Sequence, residues 1–151
     1  GAEVTTTKNS VTVKKGNLRG INIDASQIPD LVPVISVCGA GATGVTKIYN
    51  AERLRIKESD RLKTTMEAIN NLGGMVAQLE DGLLIQGVGS LNGGKAEGCN
   101  DHRIVMSSAV ASVIARNDVT ITDSQAINKS YPNFFGDFKK LGGNVNVINN
   151  R

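Results

Sequence analysis

The segment LRIKESDRL, residues 54–62, places three cations and two carboxylates at the start of an amphipathic helix. Apolar residues follow it at helical spacing, at Leu62, Met66, Ile69 and Leu72. This spacing predicts a helix over residues 59–72 with Ser59 as its N-cap. Free N–H groups and the helix dipole favour an anion at such an end, and Lys57 and Arg61 add positive charge there. We therefore expect the segment to bind a phosphate or a carboxylate.

Glu58 lies among these cations and is a candidate proton carrier. A charged helix start also has a simpler explanation, since it often forms only exposed ion pairs of little energetic value. A second copy of the pattern further along the chain favours the functional interpretation.

Composition restricts the kind of ligand. The chain has 151 residues, 40% of them hydrophobic, which predicts a folded globular protein and not a disordered one. Lys and Arg outnumber Asp and Glu by 17 to 14, a balance that suits small anionic substrates. Aromatic residues make up 3% and Trp is absent, which disfavours nucleic acid, and no segment is long and apolar enough to span a membrane.

The cysteines indicate a reducing compartment. Cys38 and Cys99 lie far apart in sequence, and neither forms a metal-type cluster with His. We expect two free thiols, a cytoplasmic location, and neither a metal nor a cofactor.

The chain contains an internal repeat. Val11–Val13 corresponds to Leu83–Ile85, and Asp30 at one helix start corresponds to Asp101 at another. Lys57-Glu58-Ser59 falls on Lys129-Ser130-Tyr131 in the same alignment. The repeat predicts an α/β (α+β) fold of two β-β-α-β-α-β units, whose helix starts share one end of the molecule and bring their cations together.

The repeat also predicts the domain organisation. Residues 3–13 align with residues 75–85, the exit hairpin of a unit, so the chain is expected to begin with the tail of an earlier repeat. Residues 1–151 are then a single partial domain. Residues 3–79 form the end of one repeat plus a full repeat, residues 80–151 form the second, and an N-terminal part of the parent protein is missing.

Two further apolar stripes are predicted at helical spacing. The first helix of the first unit has Leu31, Val34, Ile35 and Cys38 on its stripe. The last helix of the second unit has Phe134, Phe135, Phe138 and Leu141. We expect both stripes to face the core.

Four ordered motifs carry a resemblance to a known family. They are Ile28-Pro29-Asp30, LRIKESDR at 54–61, Asn100-Asp101-His102-Arg103, and Lys129-Ser130-Tyr131-Pro132 with Phe134-Phe135 after it. In this order they resemble the 5-enolpyruvylshikimate-3-phosphate (EPSP) synthase family, also called 3-phosphoshikimate 1-carboxyvinyltransferase. The resemblance implies an inside-out α/β fold with three repeats in each of two domains. This chain would be the C-terminal two repeats, and the N-terminal domain would be its partner.

The resemblance also implies a reaction and its residues. The enolpyruvyl group of phosphoenolpyruvate moves to the 5-hydroxyl of shikimate 3-phosphate, and phosphate is released. Asp30 would contact that hydroxyl and take its proton, whereas Glu58 would protonate the methylene carbon of phosphoenolpyruvate. Lys57 would lie between the two substrates and relay a proton.

Further roles follow from the same resemblance. Arg61, Arg103 and Lys129 would bind phosphoenolpyruvate. His102 and Asp101 are expected in supporting roles, His102 as a hydrogen-bonded structural residue and Asp101 as an N-cap that orients Arg103.

Two alternatives to this family remain open at this point. A UDP-N-acetylglucosamine enolpyruvyl transferase shares the fold, although that family does not usually carry these motifs. A non-catalytic anion-binding module would retain the repeat and its charges. Within the preferred reading, the isolated chain is expected to be nearly inactive, because part of the cleft would be absent.

Overall fold

The computed structural model describes residues 1–148. Its strands are β1 (Glu3–Thr6), β2 (Val11–Lys14), β3 (Asn22–Asp24), β4 (Val45–Tyr49), β5 (Met75–Gln78), β6 (Leu83–Gln86), β7 (Gly94–Ala96) and β8 (Val119–Ile121). Its α-helices are α1 (Val32–Ala40), α2 (Arg61–Asn71), α3 (His102–Ala111) and α4 (Phe134–Lys140). Short 3₁₀ helices cover Pro29–Leu31, Glu52–Ile56, Ser112–Ile114 and Ser124–Lys129.

The strands form three sheets. β1 and β2 make a separate antiparallel hairpin, β3-β4-β6-β5 make a four-stranded sheet, and β7 pairs with β8. The pairs β3–β4 and β7–β8 are both parallel and have the same register, since Asn22 lies opposite Lys47 and Gly94 opposite Val119, each 25 residues further on. The predicted α/β fold is confirmed.

The order of elements repeats. The first unit runs β2, β3, α1, β4, α2, β5, which is the predicted β-β-α-β-α-β pattern. The second runs β6, β7, α3, β8, α4, and residues 144–148 after α4 are not a strand. The predicted sixth element of this unit is therefore not formed within the described residues, and the division into repeats and domains stays a prediction.

The core lies between the four-stranded sheet and α1, α2 and α3. The stripe predicted on α2 faces it, with Leu62, Ile69 and Leu72 buried and Met66 partly buried. Both cysteines are free thiols, as predicted. None of the helices within residues 1–148 is long and apolar enough to cross a membrane.

The start of α2 corrects one prediction. Asp60, not Ser59, is the N-cap, and its carboxylate accepts a hydrogen bond from the Lys63 N–H at 3.2 Å. Ser59 is excluded from the cap because its hydroxyl donates to Asp101 at 2.9 Å, across to another helix. The helix therefore begins at Arg61, and its N-cap lies one residue later than predicted.

The stripe predicted on α1 is wrong at both ends. Leu31 and Cys38 are exposed, and the buried face instead carries Val32, Val37 and Ala40. The helix is apolar on nearly every side, so hydrophobic spacing alone does not identify the face that packs. The preceding 3₁₀ turn also ends at Leu31 and shifts the start of the α-helix.

The stripe predicted on α4 is only partly buried. Phe134, Phe135 and Phe138 are half-buried, and Leu141 is 88% exposed. The ring of Phe134 lies 5.3 Å from that of Phe135 and 6.0 Å from that of Phe138. The stripe exists as a cluster, but no strand of the described chain covers it.

Candidate active site

Arg61, the first residue of α2, is the centre of a charge cluster. Its side chain is 2% exposed and contacts three carboxylates. Nε donates to Asp101 at 2.8 Å, one terminal nitrogen donates to Asp30 at 2.9 Å, and the other donates to Glu58. Three separate segments, the turn before α1, the loop before α2 and the start of α3, thus meet at one guanidinium.

Asp101 joins α2 to α3. Its side chain is fully buried and accepts hydrogen bonds from the Ser59 hydroxyl and from the Arg103 N–H, both at 2.9 Å. The second bond makes Asp101 the N-cap of α3, as predicted. The sequence did not indicate that the same carboxylate also binds Arg61, so Asp101 orients two helix starts at once.

The environment of this pair shifts both pKa values. Burial by itself lowers the pKa of Arg61, but its bonds to Asp101 and the charges of Glu58 and Asp30 outweigh this and raise it. Burial by itself raises the pKa of Asp101, but the bonds from Arg61, Arg103 and Ser59 outweigh this and lower it. Both groups are therefore held in their charged forms.

Asp30 lies where the cations of the two units meet. Lys57 Nζ is 3.6 Å and an Arg103 nitrogen 3.7 Å from its carboxylate, in addition to the bond from Arg61. The carboxylate is half-exposed, so it is accessible to a ligand. The prediction that the helix starts bring Asp30, Lys57 and Arg103 together is confirmed.

Glu58 lies on the other side of Arg61. One of its oxygens accepts from Arg61, and the other lies 3.8 Å from His102 Nδ1. That distance is too long for a hydrogen bond, and Nδ1 is buried with no partner among the described residues. The prediction of a hydrogen-bonded His102 is therefore not met at Nδ1, which faces Glu58 instead.

Lys129 is placed apart from this cluster. It is exposed, and its Nζ donates to the Asn100 carbonyl, directly before the N-cap of α3. It has no carboxylate within 4 Å in the described part of the chain. The structure thus places Lys129 at the start of α3 but not in contact with Asp30 or Glu58.

Arg55 supports the site and was not singled out by the sequence reasoning. Its guanidinium donates to the carbonyls of Leu79 at 2.9 Å and Glu80 at 2.7 Å, and to the Asp60 carboxylate at 3.3 Å. It thereby ties the N-cap of α2 to the turn between β5 and β6. Its place in the LRIKESDR motif was the available signal, but only the fold shows which carbonyls it reaches.

The lowered pKa of Asp101 predicts a pH-dependent contribution to stability. A carboxyl whose pKa is lower folded than unfolded stabilises the fold above its unfolded value, about 3.9 for Asp, and loses this effect as pH falls through the folded value. We expect Asp101→Asn to lower the free energy of unfolding at pH 7, and the difference from wild type to shrink below about pH 4. Urea denaturation from pH 7 to pH 3 measures this. An equal difference at both ends of the range would contradict it.

The sequence matches one family model over most of its length. The model describes EPSP synthase (3-phosphoshikimate 1-carboxyvinyltransferase) and matches residues 1–138. The 3-phosphoshikimate 1-carboxyvinyltransferase of Clostridium acetobutylicum is 53% identical over 138 residues, covering 91% of this chain and 32% of the relative. That of Methanocella arvoryzae is 46% identical over 138 residues, with the same coverage of 91% and 32%. The chain thus spans about a third of the length of the curated relatives it matches.

Solved structures show the same relationship. An EPSP synthase from Acinetobacter baumannii superposes with a TM-score of 0.82 at 28% identity, covering 92% of this chain and 36% of that one. Another structure of EPSP synthase from that organism gives a TM-score of 0.85 at 25% identity, covering 98% and 37%.

Proposed function

Because the chain belongs to the EPSP synthase family, we propose that it forms part of an active site that transfers the enolpyruvyl group of phosphoenolpyruvate to the 5-hydroxyl of shikimate 3-phosphate. The observation that carries this proposal is the contact of Asp30 and Glu58 with one buried guanidinium. Two partly exposed carboxylates are held there by different nitrogens of Arg61, each with different neighbours.

The proposed division of roles follows from those neighbours. Asp30 faces three cations, and it accepts the proton of the 5-hydroxyl as the oxygen attacks C2 of phosphoenolpyruvate. Glu58, which has a single guanidinium and the His102 ring beside it, donates a proton to C3. The resulting tetrahedral intermediate then loses phosphate, which leaves with the proton that Asp30 took, and Glu58 takes back a proton from C3 as the double bond re-forms. An addition followed by an elimination needs both a base and an acid. Two carboxyl groups in different electrostatic surroundings can divide these roles.

The cations of the site are proposed to hold the anionic groups of both substrates. Lys57 and Arg103 are partly exposed next to Asp30, and Lys129 lies at the same end of α3. Arg61 is more enclosed, since all three of its nitrogens bond to carboxylates. A substrate anion reaches Arg61 only by displacing Asp30 or Glu58. We therefore infer that the main role of Arg61 is to hold these two carboxylates in place.

Substrates and partners of the whole protein belong to the same proposal. Phosphoenolpyruvate and shikimate 3-phosphate are the proposed ligands, with further ligands supplied by the part of the relatives that lies outside the match. A cytoplasmic location is likewise proposed. The UDP-N-acetylglucosamine alternative is not favoured by the family match, whereas a non-catalytic anion-binding module differs from our proposal only in turnover.

We expect the isolated chain to have no measurable turnover with both substrates. Acid–base groups act only on reactants that are held in line and shielded from water, and the chain spans about a third of its relatives. The assay follows phosphate release from phosphoenolpyruvate in the presence of shikimate 3-phosphate. Its positive control is a chimera in which this chain replaces the matching third of the Clostridium acetobutylicum relative. Turnover by the chain alone would refute this expectation, and an inactive but folded chimera would favour the non-catalytic module.

A further inference from the structure

Two residues directly before the N-cap of α3 have a left-handed backbone. Cys99 and Asn100 both have a φ of 50°. This conformation is unfavourable for residues other than glycine, although asparagine tolerates it better than cysteine. Two such residues in succession store strain where the chain turns from β7 into α3. Because strain of this kind persists only where other contacts compensate for it, the contacts of the turn identify what holds it.

Side chains from the segment after β8 hold the strained turn. The Asn100 N–H donates to the Asp123 carboxylate at 3.2 Å, and the Asn100 carbonyl accepts from Lys129 Nζ. The peptide groups on both sides of Asn100 are thus bonded to charged side chains, and such hydrogen bonds are stronger than neutral ones. Just before the turn, the Gly98 N–H donates to the Thr122 hydroxyl at 3.1 Å. The end of β8 therefore holds the turn that leads into α3.

Asp123 lies at a left-handed corner that both units share. Its φ is 51°, and it lies just after β8 as Asn50, with a φ of 56°, lies just after β4. In the first unit the corner residue also reaches the neighbouring parallel strand, because the Asn50 side chain donates to Asp24 at 3.2 Å. None of residues 25–31 in the described chain has a left-handed backbone, however. The corner is thus common to both units, whereas the strained turn belongs to the second.

The strained turn determines where α3 starts. The Asp101 N–H donates to the Gly98 carbonyl at 2.9 Å, which closes the turn. The Asp101 carboxylate binds Arg61 at 2.8 Å, and an Arg103 nitrogen lies 3.7 Å from Asp30. If the turn relaxed to ordinary backbone angles, Asp101 and Arg103 would move together, because both lie within three residues of it. Displacing a site residue by about 1 Å can lower a rate by about 10²-fold.

We propose that Asp123 is a positioning residue of the candidate active site. Its carboxylate holds the left-handed turn, and the turn sets the positions of Asp101 and Arg103. The inference rests on the proposed function, in which Arg103 binds phosphoenolpyruvate. Lys129 holds the same turn but is itself a proposed ligand residue. Replacement of Asp123 is therefore the change that separates positioning from binding.

Variants of Asp123 in the chimera test the proposal. Asp123→Gly removes the acceptor but keeps the left-handed corner, because glycine adopts that backbone without strain. We expect kcat/KM for phosphoenolpyruvate to fall by about 10–100-fold. Asp123→Asn keeps an oxygen that accepts from Asn100 and should retain most of the activity. Asp118→Gly, which removes an exposed carboxylate just before β8, is the matched control and should have little effect. An Asp123→Gly chimera with unchanged kcat/KM would overturn the proposal.

A second substitution tests whether backbone strain is the reason that Asp123 is needed. Cys99→Gly makes the left-handed turn favourable by itself, so the Asp123 contact should matter less. We expect the loss of kcat/KM caused by Asp123→Gly to be clearly smaller when Cys99→Gly is also present. Equal losses with and without Cys99→Gly would mean that the two sites act independently, and this result would also overturn the proposal.

A measurement on the isolated chain separates this inference from the proposed function. The Arg61 Nε–H, which donates to Asp101 at 2.8 Å, gives its own resonance in proton–nitrogen NMR spectra. Asp123→Gly should shift this resonance because Asp101 moves, whereas Asp118→Gly should leave it unchanged. If the folded chimera is inactive but the resonance shifts as expected, the proposed function is refuted and the positioning of Asp101 by Asp123 is supported. A resonance that Asp123→Gly leaves unchanged overturns the inference, whatever the activity of the chimera.

Discussion

Glu58→Gln and Asp30→Asn should each lower kcat by about 10²–10⁴-fold in the chimera described above, which is the usual contribution of a positioned general acid or base. Both replacements keep the shape of the side chain and an oxygen that accepts from Arg61, so the charge cluster is preserved in outline. What they remove is the ability to take or give a proton. The affinity for phosphoenolpyruvate, measured separately by calorimetry, should change much less than kcat.

Glu52→Gln is the matched control for these variants. Glu52 is exposed in the 3₁₀ turn that precedes the site, so the variant removes one carboxylate nearby without touching Arg61. It should leave kcat within about twofold of the unmodified chimera, since surface substitutions away from a site usually have small effects. If Glu58→Gln and Asp30→Asn behave like Glu52→Gln, their proposed catalytic roles are wrong and the anion-binding module is the better description.

Arg61→Met should lower the free energy of unfolding of the chain by about 3–5 kcal/mol, the range found when one partner of a buried ion pair is removed. Methionine fills a similar length but leaves Asp101 buried without its counter-charge, and it frees Asp30 and Glu58 to repel each other. The measurement is urea denaturation at pH 7. Arg53→Met is the matched control, because it replaces an exposed arginine in the segment before α2. It should change the free energy of unfolding only slightly.

A double-mutant cycle measures the interaction between Arg61 and Asp101 separately from any general destabilisation of the fold. Arg61→Met/Asp101→Asn removes both charges. The double variant should therefore lose clearly less free energy of unfolding than the sum of the losses in the two single variants. The coupling arises because Asp101→Asn neutralises the group that Arg61→Met leaves unpaired. Simple additivity would show that the buried pair does not act as a unit, and it would refute the central place given to Arg61.

Periodicity and repeats predicted the fold well where one face of an element is apolar. The stripe on α2 and the hairpins predicted over residues 3–13 and 75–85 are present in the structure. α1 was oriented wrongly because it is apolar on nearly all sides, so that its neighbours, and not its own pattern, determine which face packs. The N-cap of α2 was misplaced because Ser59 and Asp60 are both good caps and the choice depends on Asp101, 41 residues after Asp60.

The sequence predicted that several charged residues of the candidate site meet, but not how they are connected, and Lys129 lies apart from them. Helix starts at one end of a repeat bring Asp30, Lys57 and Arg103 together, and this follows from topology. The sequence contains no signal that Arg61 is buried, that Asp101 bonds to it, or that His102 Nδ1 faces Glu58 without a partner. These are tertiary contacts between segments about 40 residues apart, and local pattern does not specify them.

The bond between Arg61 and Asp101 has a consequence for cooperativity. The two residues belong to different units, so neither unit contains the charge cluster by itself. Repeat proteins can open one unit at a time when only nearest-neighbour surfaces hold them together. Here, partial opening of either unit would break the ion pairs that hold the helix starts of both units. Amide hydrogens in the first turns of α2 and α3 should therefore exchange with solvent in a single concerted event.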